Sequence, residues 1–205
     1  MKKILSVIFC LVICCSFIGC NGTNKDNEVA KETLVKVLKY EENFSFKSLV
    51  YDKVTEENLE KFNFPSIVNV FNGFVPSKYT FVDFDSNGIE ELAIFDNRGV
   101  FLLILRYDNG KVIGNILENI SYNDIRTNGT FIRFSHNTKN SEGFNAISYI
   151  TFDGLNCESH DLAYKYNPDK IYKLEDKDAS KEEVEKYFEK WENETEKVTW
   201  INFEK

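Results

Sequence analysis

Histidine is scarce in this chain: there are two, His136 and His160. The sequence also has no His-Glu-x-x-His stretch, no Gly-x-Ser-x-Gly and no glycine-rich phosphate loop. Those gaps remove the usual signatures of a zinc peptidase, a nucleophile elbow and a P-loop. Cysteine is confined. Cys10, Cys14, Cys15 and Cys20 sit at the N-terminus and only Cys157 lies beyond them. One thiol cannot form a disulfide within the rest of the chain, so stability must come from a hydrophobic core. Positive charge is short too, with 25 Lys and Arg against 33 Asp and Glu, a formal charge of −8. Such a surface repels phosphate backbones, which argues against nucleic acid as a partner. No low-complexity segment and no whole-domain repeat is found.

What is present begins at the N-terminus. Lys2 and Lys3 precede an apolar run from Ile4 to Ile18. About fifteen such residues suit a signal peptide and fall short of the about twenty that span a bilayer. The run ends in Phe17-Ile18-Gly19-Cys20, which resembles the lipobox of bacterial lipoproteins. Gly19 and Cys20 match that pattern, and Phe17 stands where leucine is commoner. The resemblance implies cleavage before Cys20, a diacylglycerol on its thiol, and attachment to the extracytoplasmic face of the cell membrane. Two acyl chains hold firmly where one is marginal. Loss of Lys2 and Lys3 would take the charge from −8 to −10. The implied organisation is a signal at 1–19, the lipidated Cys20 with a polar tether at 20–27, and one domain at 28–205. The wealth of Asn, Lys, Ile, Phe and Tyr resembles AT-rich coding and suits a Gram-positive source.

Periodicity then sets the fold class. Glu28 to Tyr40 reads as a helix with Ala30, Leu34, Val37 and Leu38 on one face. Glu41 to Lys53 is mixed. Thr55 can cap a short helix through Phe62, with Glu56 and Glu57 at its positive end. Past Pro65, Phe64 to Phe74 is an apolar connector without an assignment. From Tyr79 onward strands and turns take over. The runs Leu92–Phe95, Val100–Leu105 and Val112–Leu117 are parted by Asp96-Asn97-Arg98-Gly99 and Asp108-Asn109-Gly110, and Asn-Gly between apolar runs predicts a hairpin. Further turns fall at Asn128-Gly129, Asn137 to Gly143 and Asp153-Gly154, around Phe131–Phe134 and Ala146–Phe152. Near the end Ser180 and Glu183 form a capping box ahead of Val184, Tyr187, Phe188 and Trp191, a face that should dock on a sheet. Val198 to Phe203 reads as a last edge strand. The fold class is α+β: an antiparallel β-meander of about six to eight strands, with N-terminal helices and a C-terminal amphipathic helix packed on it. The 18 Phe, 10 Tyr and 2 Trp are accounted for by the core of such a sheet; an aromatic platform for sugars is the alternative use.

One stretch carries specific chemistry: Asp83-Phe84-Asp85-Ser86-Asn87-Gly88-Ile89-Glu90-Glu91-Leu92. Alternate residues of a tight loop point inward together, so Asp83, Asp85 and Asn87 would converge. Ile89 would add its backbone carbonyl, Glu91 a carboxylate, and Gly88 the sharp turn. Calcium prefers six to eight such oxygens. Ile94 stands at position twelve, where an EF-hand has glutamate, so this is no EF-hand. The stretch resembles the D-x-D-x-[DN]-G-x-x-[DE]-L loop of FG-GAP and VCBS-type repeats, and of Gram-positive surface lipoproteins with one such loop before a hairpin. That resemblance covers about Tyr79 to Ile116 and implies a structural calcium. A single copy cannot close a propeller, so the propeller fold is not implied. The competing account is a metal-free turn in which Asp and Asn bond nearby amides.

Cys157 and His160 lie three apart, which on a strand sends them to opposite faces and works against a nucleophile–base pair. Three readings stand open. The first is a non-enzymatic lipoprotein binding an unknown ligand of the envelope or medium, with a structural calcium loop. The second is an envelope hydrolase of glycan or peptide working through acidic residues. The third is a small solute-binding lipoprotein.

Overall fold

A computed structural model describes residues 20–47, 59–62, 74–99, 101–118, 120–134, 143–167 and 169–203. Among the described residues there are two helices and two sheets, so the chain is α+β and mostly β. Helix α1 spans Cys20–Leu38. Strands β1 (Phe44–Lys47) and β2 (Leu59–Phe62) follow. Then come β3 (Pro76–Val82), β4 (Glu91–Asp96), β5 (Phe101–Asp108) and β6 (Lys111–Glu118). The second sheet begins with β7 (Ile120–Ile125) and β8 (Phe131–Phe134), continues with β9 (Phe144–Asp153) and β10 (Asn156–Tyr166), and ends with β11 (Ile171–Leu174) and β12 (Lys177–Asp178). Helix α2 (Lys181–Glu194) and β13 (Ile201–Asn202) close the chain.

The first sheet has the order β13-β3-β4-β5-β6-β1-β2 and the second β12-β11-β10-β9-β8-β7. Among the described residues every strand pairing is antiparallel except β1 with β6, where Ser45 sits opposite Ile113. The expected single meander is therefore two sheets of seven and six strands. Strands β4 and β5 are buried on both faces, which explains why they read as continuous apolar runs rather than alternating ones. One face, with Leu92, Ile94, Leu103 and Leu105, packs under Leu34 and Val37 of α1. The other, with Ala93, Phe95, Leu102 and Ile104, packs on Ile125, Phe131 and Ile150 of the second sheet. Helix α2 covers the far side of that sheet, its Trp191 against Ile147 and Ala163, with Tyr187 and Phe188 alongside. Among the described residues no helix is long and apolar enough to cross a membrane.

Local chemistry agrees with several expectations. Ser180 accepts the Glu183 N–H and Glu183 reaches back to the Ser180 N–H, completing the capping box. Asn109 and Gly110 both have positive φ, 49° and 83°, the requirement of a two-residue hairpin turn. Residues 201–202 do form an edge strand, on β3.

Two further expectations need correction. Helix α1 is described over Cys20–Leu38 rather than from Glu28, so the segment read as a tether is helical. And residues 59–62, read as the end of a helix from Thr55, form β2 opposite β1. Leu59-Glu60-Lys61-Phe62 is too short for its periodicity to tell helix from strand, and the neighbouring β1 supplies the ladder that decides it. Thr55 itself, the connector through residue 73 and the turn at 137–142 lie outside the described residues.

Candidate metal-binding loop

Strands β3 and β4 pair from Pro76↔Asp96 to Val82↔Glu91, and residues 83–90 connect them. The connector is held by its own side chains. Asp83 accepts the N–H of Asn87 at 3.0 Å on one oxygen and that of Gly88 at 2.8 Å on the other. Asp85 accepts the Asn87 N–H at 3.3 Å and its side-chain amide at 3.0 Å. The Asn87 amide oxygen accepts the Ile89 N–H at 2.7 Å. Ser86 and Gly88 take positive φ, 60° and 87°, to reverse the chain.

These bonds leave three carboxylates facing one another. Ligand oxygens of Asp83, Asp85 and Glu91 lie within 4.8 Å of each other. Glu91 is the unusual member, because only 2% of it is exposed. It is paired with Val82 across the strands, so it shares the face that packs on the second sheet. Its carboxylate accepts the Phe84 N–H at 2.9 Å. Burial pushes Glu91 up to about 8, the Phe84 bond opposes that, and the charges of Asp85 and Asp83 push the same way as burial. Asp85 is raised as well, first by burial, with Asp83 adding to it.

Of the five residues the sequence nominated, Asp83, Asp85 and Glu91 come together. Asn87 joins them through its bonds to Asp85 and Ile89, and Ile89 is tied in by its N–H. A site of oxygen donors only, three of them carboxylates, fits a hard divalent cation and not a soft one. Cys20 is the first residue of α1, and residues 1–19 lie outside the described residues.

Three supports were not legible in the sequence. Asn27 of α1 accepts the Glu90 N–H at 2.9 Å, and Lys31, one turn on, pairs with the Glu90 carboxylate at 2.6 Å. The Lys31 ammonium also lies 4.8 Å from the Phe81 ring centre. From the other side Gly129, in the β7–β8 turn, abuts the backbone. A Cβ there would fall 2.6 Å from the Asp83 carbonyl oxygen and 2.8 Å from the Phe84 Cα. That turn is pinned in its turn by α2, because the Trp191 indole N–H donates to Thr130 Oγ1 at 2.7 Å. The Arg126 guanidinium lies 4.1 Å over the Trp191 ring.

The thiol and imidazole fall apart as the spacing implied. Cys157 packs with Phe152 between the sheets, whereas His160 stacks on Tyr149 at 5.1 Å and bonds Thr151 at 2.7 Å. Burial pushes the thiol up to about 12, so it is no thiolate nucleophile at neutral pH. Comparisons with protein-family models, with curated proteins and with solved structures found no match.

Proposed function

We propose that this protein is a cell-surface lipoprotein, anchored through Cys20, whose β3–β4 loop holds a structural calcium ion and whose domain acts by binding rather than by catalysis. The observation that carries the ion reading is the convergence of Asp83, Asp85 and Glu91 within 4.8 Å, one of them buried. Three carboxylates so placed repel one another, and burying one of them ionised is costly without a compensating cation. Asp83, Asp85 and Glu91 would hold the ion, with Asn87 and the Ile89 carbonyl completing the shell. A divalent ion would supply positive charge that lets Glu91 ionise and would stiffen the turn. Outside a cell, where calcium is near millimolar, a weak site is filled.

These carboxylates are engaged by the turn's own amides, which favours the structural role over acid–base hydrolysis. The direct test is thermal melting of the full-length protein in mild detergent, with millimolar calcium and with chelator. A rise in melting temperature with calcium, lost in Asp85→Ala, supports the reading; equal melting reduces the loop to a metal-free turn. For the anchor, Cys20→Ser should release the protein from the membrane fraction and abolish fatty-acid labelling.

A further inference from the structure

The inner face of the second sheet is only partly covered by the first. Near Phe131, Ile150 and Phe152 it belongs to the core between the sheets. Farther along the same face, cross-strand pairing sets Arg133 beside Ala146, Ala146 beside Tyr164, and Tyr164 beside Lys173. Pairing likewise sets Tyr166 between Phe144 and Ile171. Directly opposed residues on antiparallel strands share a face. Arg133, Phe144, Tyr164 and Lys173 are half-buried there, and Ile171 is 38% exposed. Asp161, Tyr164, Ile171, Lys173 and Asp176 line a depression of about 260 Å³.

Two of the lining side chains, Tyr164 and Asp161, are held by neighbours on the same face. The Phe144 and Tyr164 rings stack with centres 5.4 Å apart and planes 28° from parallel. The Arg133 guanidinium lies 5.4 Å from the Phe144 ring centre and donates to both oxygens of Asp161, at 2.9 and 2.8 Å. The Ser148 hydroxyl donates a third bond to Asp161 at 2.7 Å. Asp176, in the lining, and Lys170 and Glu175, in the adjoining turns, take left-handed backbone, φ 63°, 55° and 48°, where glycine would be easier.

Charge decides the class of ligand. Arg133 neutralises Asp161, and Lys173 and Asp176 add one charge of each sign. The lining charges therefore balance, while Asp169, Lys170 and Glu175 on the adjoining turns leave the surroundings slightly acidic, which disfavours an anion and leaves a neutral ligand as the one the lining fits. It offers an apolar wall from Tyr164 and Ile171, a donor in Lys173, an acceptor in Asp176, and a phenol hydroxyl that does either. A polyhydroxylated ring has the complementary pattern, with an apolar C–H face and hydroxyls at its edge. Stiff aromatic side chains also lose little entropy on binding. Pockets for drug-sized ligands run from about 300 Å³ upward, so this volume suits one ring and not a buried chain.

We propose that the depression on β10 and β11 binds a neutral saccharide unit, with Tyr164 and Ile171 against the ring and Lys173 and Asp176 on its hydroxyls. The proposal stands apart from the calcium loop. Its test is calorimetry and hydrogen exchange on the full-length protein in mild detergent. The probes are neutral oligosaccharides of glucose, N-acetylglucosamine, galactose and mannose, each up to on the order of 10 mM, with a neutral tripeptide as control. At least one saccharide should bind and protect residues 156–174. Tyr164→Ala and Lys173→Met should each weaken it about tenfold or more, and Tyr164→Phe, which keeps the ring, by less. Thermal melting of each variant separates lost binding from lost folding. No protection by any saccharide, binding that survives both variants, or equal protection by the tripeptide would overturn the assignment.

Discussion

The Phe84 N–H and the Glu91 carboxylate, seven positions apart, meet at 2.9 Å across the base of the β3–β4 loop. The bond closes the loop over an acid that is almost wholly removed from water. Most of what the loop should do experimentally follows from how that acid titrates.

Without a metal, stability should fall as pH rises. Glu91 goes from an ordinary 4.5 to about 8 in the fold, chiefly through burial. Between those values the folded state binds a proton that the unfolded state has released, so each step up in pH favours unfolding. The full gap corresponds to a ceiling of about 5 kcal/mol. Urea melts in chelator at pH 5 and pH 8.5 should show the higher midpoint at pH 5. Glu91→Gln, which stays neutral, should flatten most of that slope, with Asp85, also raised by burial, accounting for a remainder of the same sign.

Calcium binding should release a proton. An ion held by Glu91 requires the carboxylate, whereas the metal-free fold keeps it protonated below about 8. Calorimetric titration at pH 6.5 in two buffers of different ionisation enthalpy should report close to one proton expelled per ion bound. At pH 9 the same pair of titrations should agree. An enthalpy independent of buffer at pH 6.5 would mean that Glu91 is not a ligand.

The loop's composition was readable because its residues are local: carboxylates at alternate positions and a glycine to turn the chain lie within one stretch. The strands around it were equally plain, since β4 and β5 are apolar on both faces. What hid was everything that depends on distant partners. Asn27 and Lys31 look like ordinary solvated residues until α1 is docked beside Glu90. Gly129 reads as a turn residue, and nothing local shows that its missing side chain makes room for Asp83 and Phe84. The four residues of β2 resemble the end of a helix until β1 is there to pair with them. The division into two sheets was hidden for the same reason, because hairpin signals mark neighbours and do not say where one sheet stops.

The contact with α1 should tune the ion site without building it. Lys31 and Glu90 form a partly exposed pair, so Lys31→Ala should cost at most about 1 kcal/mol and change calcium affinity little. Asn27→Ala removes the acceptor of the half-buried Glu90 N–H, between Ile89 and Glu91. Losing it should cost about 1 kcal/mol. If the ion orders the same turn, linkage makes affinity fall by a comparable factor, several-fold. Calcium titrations of the two variants followed by thermal shift measure the contrast; equal effects would place the ion away from this end of the loop.

Gly129 and Gly110 give the sharpest comparison, because both have positive φ, 78° and 83°, and only one is crowded. A Cβ added at Gly110 would meet no atom within 4 Å, so Gly110→Ala meets the left-handed backbone penalty alone, about 1 kcal/mol. At Gly129 the same methyl would press into the Asp83 carbonyl and the Phe84 backbone, which carry the first carboxylate and the N–H bonded to Glu91. That backbone has little room to retreat, because the Phe84 side chain is fully buried and its ring packs edge-on against Phe131. Gly129→Ala should therefore cost at least about 2 kcal/mol more than Gly110→Ala. It should also blunt the calcium-dependent rise in melting temperature, whereas Gly110→Ala leaves that rise intact. Equal losses in the two variants, by chemical denaturation, would show that the β7–β8 turn does not bear on the loop.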